Sequence, residues 1–308
     1  PIDLIYNGIP ALKVTMTYRN RCRNMLLDYS EKLLGYRPDV LMTHVTRPVI
    51  SKGLWRDLTV CHELDEKLKT QGKKAVLYIL TSAGGVRREH DIHHMEQQYN
   101  WPAQHREGYP DLVGPEVDIH RDVQAFNKGH SAVQVVLVNQ FGWSQSRIGR
   151  KLSKEMNITD FRCATDVEFG MATYEPFGIS PLEPLAAGAL CVISSVCGCK
   201  GFVDHVTHGK GTLNVIEADF TQLDSPRSID QLKQMSRHER DRIEQQVAKG
   251  IAQQILERLP ATDKDRARLL ETGQQLVPKM GWNQVVQESL APMLKRVVEN
   301  GHARKARK

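Results

Sequence analysis

Two carboxylates stand out for their spacing. The stretch "YEPFGISPLEPLAAGALCVISS", residues 174–195, sets Glu175 and Glu183 eight positions apart, with Pro176, Gly178 and Pro181 between them. The pattern predicts a turn that opens a helix. The backbone N–H groups of Phe177, Gly178 and Ile179 then lie free at the helix start, a natural seat for an anion favoured by the helix dipole. Gly178 lets a ligand approach the backbone closely. Glu183, about a turn and a half further in, is expected to face the same ligand from behind Glu175. Carboxylates do not hold phosphate, but they accept hydrogen bonds from hydroxyl groups on either side of one, such as a sugar and a ribose. The competing reading is a strand-to-helix turn with Glu183 as a solvated helical acid.

The elements that must place these groups can be read from the apolar pattern. "RNRCRNMLLDYSEKLLG" is helical and stops at Gly35, and residues 39–45 form a buried strand. The next segment carries Leu54, Leu58, Cys61, Leu64 and Leu68 at helical spacing. Further strands are expected at 75–82, 132–139, 166–173 and 189–195, with a shorter extended piece around "GTLNVIEA". Helices are expected over "DIHRDVQAFNKG", over "SQSRIGRKLSKEMN" and, from Ser228, through a long charged tail with a kink at Pro292. A polar insertion, helical at its centre, occupies residues 84–116. Near-continuous apolar strands separated by helices predict an α/β fold with a mostly parallel, doubly wound sheet. Ligands bind beyond the carboxyl ends of such strands. Residues 46–53, 139–144, 174–178 and the segment after Ser82 should therefore share one cleft edge.

Composition narrows the function classes. The 308 residues are 40% hydrophobic and 25% charged, ordinary values for a globular protein. No run approaches the roughly 18–20 apolar residues that span a bilayer. The start "PIDLIYNGIP" lacks the basic and apolar regions of a secretory signal, so a cytoplasmic location with reduced thiols is expected for the six cysteines. A start at proline suggests that an N-terminal part is missing. The net charge of +6 includes the frayed tail "HARKARK", and no aromatic-basic motif supports nucleic-acid binding. The lone C-x-C of Cys197 and Cys199 lacks the paired spacing of a zinc site. His90 and His94 have i, i+4 spacing, but in so polar a setting a solvated or substrate-contacting helix is the preferred reading, and no metal is expected.

The run around Glu175 resembles the E-x7-E signature of retaining, nucleotide-sugar-dependent glycosyltransferases of the GT-B fold, the broad family of glycogen and sucrose synthases. "YNGIP" is similar to that family's N-G-I-D, and "THVTRPVISKGLWRDL" to its G-R-x-x-x-x-K-G element, with Arg47 and Lys52 in the basic positions. "ATDVEFGMATYEPFGISPLEPLAAGALCVISSVCG" follows the family's aspartate–strand–E-x7-E–strand pattern. "MGWNQVVQESL" resembles its tryptophan-bearing C-terminal helix. The likeness runs from about residue 5 to 220. It departs from the family at "VCGCKG", where the family has a glycine-rich turn, and at the long insertion.

The resemblance implies a Rossmann-like domain, the C-terminal half of a GT-B fold, with a helical C-terminal extension. It divides the chain into a linker and first helix (1–36), a nucleotide-sugar-binding domain (37–225) and C-terminal helices with a basic tail (226–308). Glu183 would bind the ribose, Glu175 would face the donor sugar, and the amides of Phe177, Gly178 and Ile179 would hold the diphosphate. Arg47 and Lys52 would neutralise the departing diphosphate, where fixed cations stabilise growing negative charge. Asn139, opening "NQFGWS", would lie near the base, the alternative being a simple turn. No protein nucleophile, cofactor or metal is implied; attack by an acceptor hydroxyl on the front face completes a hexosyl transfer. The expected partners are a nucleotide-diphosphate sugar, a glycan or small-molecule acceptor, and an N-terminal domain outside this chain. Two other readings remain: a non-catalytic nucleotide-sugar-binding module, and a glycan phosphorylase that uses pyridoxal phosphate.

Overall fold

The computed structural model describes residues 3–223 and 225–305, with side chains as far as residue 299. Six strands, β1 (Val40–Val45), β2 (Ala75–Leu80), β3 (Val133–Val138), β4 (Val167–Gly170), β5 (Leu190–Ser194) and β6 (Val215–Ala218), form one sheet in the order β3-β2-β1-β4-β5-β6. Every pairing is parallel. The strand order reverses between β1 and β4, which makes the gap beyond their carboxyl ends the topological switch point of a doubly wound fold.

The helices are α1 (Met16–Leu34), α2 (Leu54–Thr70), α3 (Glu89–Tyr99), α4 (Pro115–Gly129), α5 (Gln145–Ile148), α6 (Ile158–Ala164), α7 (Gly198–Thr207), α8 (Ile229–Lys233), α9 (Arg237–Arg258), α10 (Asp263–Met280), α11 (Trp282–Val285) and α12 (Ala291–Lys305). Alternation along the strands divides the core. Leu41, Val76, Tyr78 and Ile193 face α1, α6 and α10, whereas Met42, Leu77, Ile79 and Val192 face α2, α4 and α9. Burial on both faces explains why the strands read as continuous apolar runs rather than as alternating ones.

The C-terminal helices pack on the same core: Ile251 and Ile255 of α9 lie on one face, and Leu270 and Val277 of α10 on the other. The first segment also docks there. Ile9 pairs with Gly281, and the Tyr6 ring stacks on Phe202 with centroids 4.7 Å apart. At the amino end of the sheet, buried Asp166 receives Arg19, Arg23 and Arg266 at 3.0–3.2 Å. Burial pushes its carboxyl up, but Arg23 and Arg19 outweigh that and hold it below the usual range. This cluster lies at the edge opposite the switch point and serves the fold.

Three expectations need correction. The helix expected over 144–157 is only α5, because the chain turns at Gly149, where φ is 103°. The helix expected after Gly178 is a 3₁₀ run, Ser180–Ala187, since Pro181 and Pro184 lack the N–H groups that α-helical bonding needs. In place of a simple kink at Pro292, a π-helical run, Val286–Leu290, precedes α12. Of the basic tail, α12 continues to Lys305, and residues 306–308 lie outside the described residues.

Candidate functional site

A cavity of about 400 Å³ opens at the switch point. Its walls come from the ends of four strands and the segments that follow them: His44 near the end of β1 with Arg47 and Lys52 after it; Thr81 and Ser82 after β2; Gln140 and Phe141 after β3; Glu175 and Gly178 after β4. Cys197 and Cys199, at the start of α7, close it. The four loops thus meet at one cleft, as the strand pattern predicts.

Lys52 is placed by a tight fit against the end of β4. The 3₁₀ turn Ile50–Lys52 ends at Gly53, whose φ is 66°. A Cβ at Gly53 would stand 2.6 Å from the Met171 carbonyl oxygen, so only glycine lets the turn lie so close. The Thr173 N–H donates to the Ser51 carbonyl at 2.8 Å, and the Arg56 guanidinium donates to the Met171 and Ala172 carbonyls at 3.1 and 3.3 Å. So held, the Lys52 ammonium pairs directly with the Glu175 carboxylate. Burial, then the neighbouring Arg47, push the Lys52 amine below its ordinary pKa, against a smaller opposing effect of Cys199 and Cys197. Arg47 is exposed and makes no ion pair among the described residues.

The loop after β4 turns its carbonyls inward and leaves its amides free. The Gly198 N–H donates to the Glu175 carbonyl at 2.9 Å, and a side chain at Gly198 would collide with the Pro176 carbonyl. The Phe177 carbonyl accepts from Asn7 at 3.0 Å, and the Gly178 carbonyl from the Cys199 thiol at 2.7 Å. The amides of Phe177, Gly178 and Ile179 donate to nothing among the described residues. Gly178 lines the cavity; its chain neighbours Phe177 and Ile179 are not among the lining residues.

Two further residues singled out in the sequence, Glu183 and Asn139, are also not among the lining residues. Glu183 pairs with Arg162 at 2.9 Å, and Arg162 also binds Glu168 at 2.6 Å and the Ser180 hydroxyl at 2.5 Å. The tighter winding of the 3₁₀ run turns Glu183 toward α6, so it does not face the space beside Glu175. Asn139 is fully buried. Its side chain accepts from Trp101 at 2.9 Å and donates to Asp111 and Glu116 at 3.1 and 3.2 Å, which leaves nothing for a base. The next residue, Gln140, lines the cavity instead.

One pair went unread in the sequence. His44, at the end of β1, is buried, and its Nδ1 lies 2.5 Å from Oδ2 of the fully buried Asp57 on α2. Burial, the dominant effect, pushes the Asp57 carboxyl up, while His44 acts against it. A signal was present: Asp57, Cys61, Leu64 and Leu68 form a buried helical stripe, and an acid in such a stripe requires a partner.

All six cysteines are buried free thiols. The two thiols act on each other: Cys199 pushes the Cys197 thiol down, and Cys199 is pushed up. Among the described residues no group of three or more possible ligands is placed to hold a metal, and the His90 side chain is 88% exposed. No helix among them is long and apolar enough to cross a membrane.

No protein-family model matches the chain, and no curated protein matches it. Among solved structures, the N-terminal domain of Candida albicans trehalose-6-phosphate phosphatase superposes with a TM-score of 0.54 at 10% identity, over 94% of this chain and 49% of that one. A sucrose-phosphate synthase from Thermosynechococcus elongatus gives 0.49 at 14% identity, over 97% and 53%. Anabaena Alr3699/HepE, solved in complex with UDP, gives 0.47 at 16% identity, over 95% and 57%. The chain spans about half the length of the solved structures it matches. The Candida likeness is one of fold: this chain is a Rossmann-like α/β domain with an all-parallel six-stranded sheet and a cavity of mixed charge at the switch point.

Proposed function

We propose that the chain is the donor-binding half of a retaining glycosyltransferase that transfers a hexose from a nucleotide-diphosphate sugar. The observation that carries this reading is the meeting of Arg47, Lys52, Glu175 and Gly178 around one cavity at the switch point. Cations from the β1 loop face unbonded amides from the β4 loop, the arrangement a diphosphate needs. Fixed cations stabilise the charge that grows on the leaving diphosphate, and their pre-set position avoids reorganisation during the reaction.

Glu175 lies against Lys52 and is assigned to the hydroxyl groups of the donor sugar. Binding of the diphosphate would draw Lys52 toward phosphate and free the carboxylate for those hydroxyls. No nucleophile is assigned; the acceptor hydroxyl attacks on the face that the diphosphate leaves, and the leaving phosphate takes its proton. Glu183, held by Arg162 outside the cavity, is proposed to contact ribose where a bound nucleotide extends past the cavity's edge. The acceptor and its contacts would come from an N-terminal domain.

Calorimetry against UDP, ADP and GDP and their hexose conjugates tests the reading. Binding that falls at least tenfold in both Arg47→Ala and Lys52→Ala is expected. Binding indifferent to both substitutions would refute the site.

A further inference from the structure

We propose that His44 is a third anion-facing group of this cavity, which takes up a proton when a nucleoside diphosphate binds and donates its Nε2–H to it, with Asp57 as the positioning residue. This rests on the diphosphate site proposed above.

The geometry sets up the ring for that task. Asp57 lies at Nδ1, which fixes the orientation of the imidazole and, for a neutral ring, selects the tautomer with its proton on Nδ1. Nε2 has no hydrogen-bond partner among the described residues, yet it is not sealed off as both nitrogens of His120 are. His44 is only 3% exposed and borders the cavity, so the cavity is where Nε2 meets open space. A purely structural histidine in this same protein looks different. His105 spends Nδ1 on Asp111 and Nε2 on the Leu137 carbonyl, each at 2.8 Å.

The charges around the cavity supply the drive. Arg47 and Lys52 face it from the β1 loop, and Glu175 faces it from the β4 loop and already engages Lys52. On α2, Asp57 holds His44, while Arg56 is committed to Glu244 at 2.7 Å. On β4, Glu168 is committed to Arg162 and Thr43. Cys197 and Cys199 lie at the α7 end, and the β2 and β3 loops bring only the uncharged Thr81, Ser82 and Gln140. The charged groups that line the cavity, Arg47 and Lys52 against Glu175, therefore offer only one cation in excess to a ligand with several negative charges. Such an imbalance favours the protonated form of a nearby imidazole.

The test is calorimetry with whichever of UDP, ADP and GDP binds most tightly, in buffers of different ionisation enthalpy. Wild type should take up protons on binding near neutral pH. His44→Gln should abolish that uptake and weaken binding about tenfold, the worth of a charge-assisted hydrogen bond. Asp57→Asn should reduce it. The double variant His44→Gln, Asp57→Asn leaves no buried carboxylate unpaired, and it should fold and show no uptake. The nucleotide's own titration is common to all and cancels in the difference. Uptake equal to wild type in the double variant would overturn the proposal while leaving diphosphate binding intact. A wild-type chain that binds none of the three overturns both readings. Ring-nitrogen NMR gives a check without substitution: His44 Nε2 should acquire a proton as the nucleotide is added, and an unchanged signal overturns the proposal.

Discussion

In the insertion, Arg87 spends its whole guanidinium on protein: on Glu116 at 2.5 Å, on the carbonyls of Asp111 and Pro110 at 2.6 and 2.9 Å, on the Ser82 hydroxyl at 3.0 Å and on the Asn139 carbonyl. Glu116 is equally occupied, by the amides of Ala83, Gly84 and Val113 and by Asn139. A few residues away, the switch-point cavity is lined by the same residue types in the opposite condition. Arg47 has no partner among the described residues, three amides point at nothing, and one nitrogen of His44 is open. Buried polar groups normally satisfy one another. The comparison teaches that a binding site is recognised by unspent bonding capacity, and a structural cluster by its exhaustion.

The sharpest way to break the comparison is Arg87→Met. It strands Glu116, whose side chain is fully buried. Unfolding free energy should fall by about 3–5 kcal/mol in urea titrations, with nucleotide affinity per folded molecule unchanged. Lys52→Ala should do the reverse. On the proposed function, sugar transfer by this chain together with an acceptor-binding domain should drop on the order of 10²-fold, while stability moves less than in Arg87→Met because Glu175 borders the cavity.

A third prediction concerns an exception just past the insertion, on α4. His120 has both ring nitrogens buried without partners. Burial first, and His105 second, push its pKa down to about 4 from an ordinary 6.5. The unfolded chain therefore binds this proton first on acidification, and stability falls as pH drops through the window between those values. The loss should reach up to about 3 kcal/mol, and His120→Gln should flatten it in urea titrations at a series of pH values. The smallest effect is expected at the second acid. Glu183→Ala should weaken nucleotide binding by no more than about threefold, since Glu183 lies against Arg162, whereas Glu175→Ala should abolish discrimination between a nucleotide sugar and its bare diphosphate. Equal effects of the two would erase the distinction between them.

Much of this was legible beforehand. The strands at 39–45, 75–82 and 132–139 announced themselves because burial on both faces leaves no polar alternation. The meeting of the β1, β2, β3 and β4 loops followed from parallel order alone, since parallel strands end on one side. The direction of Glu183 was not legible. Eight residues from Glu175 in an α-helix would have brought it back toward the cavity, but Pro181 and Pro184 tighten the run and turn it to Arg162. Asn139 stood open between a base contact and a simple turn, because a polar residue at a strand end looks the same whether it faces a ligand or a buried tryptophan. The insertion that captures it, through Trp101 and Asp111, is remote in sequence.

By itself the sequence determined the layered α/β fold, the carboxyl edge on which the site must lie, and the residue types available there. These depend on local pattern: apolar periodicity, glycine and proline positions, and the parallel geometry that follows. Tertiary structure alone decided which charged groups are spent and which are left open. Whether Arg162 consumes Glu183, whether Lys52 touches Glu175, and whether the Nε2 of His44 meets a cavity are matters of ångström-scale neighbours drawn from distant segments. No local pattern encodes those distances, because each arises only when the whole sheet and its covering helices have closed around it.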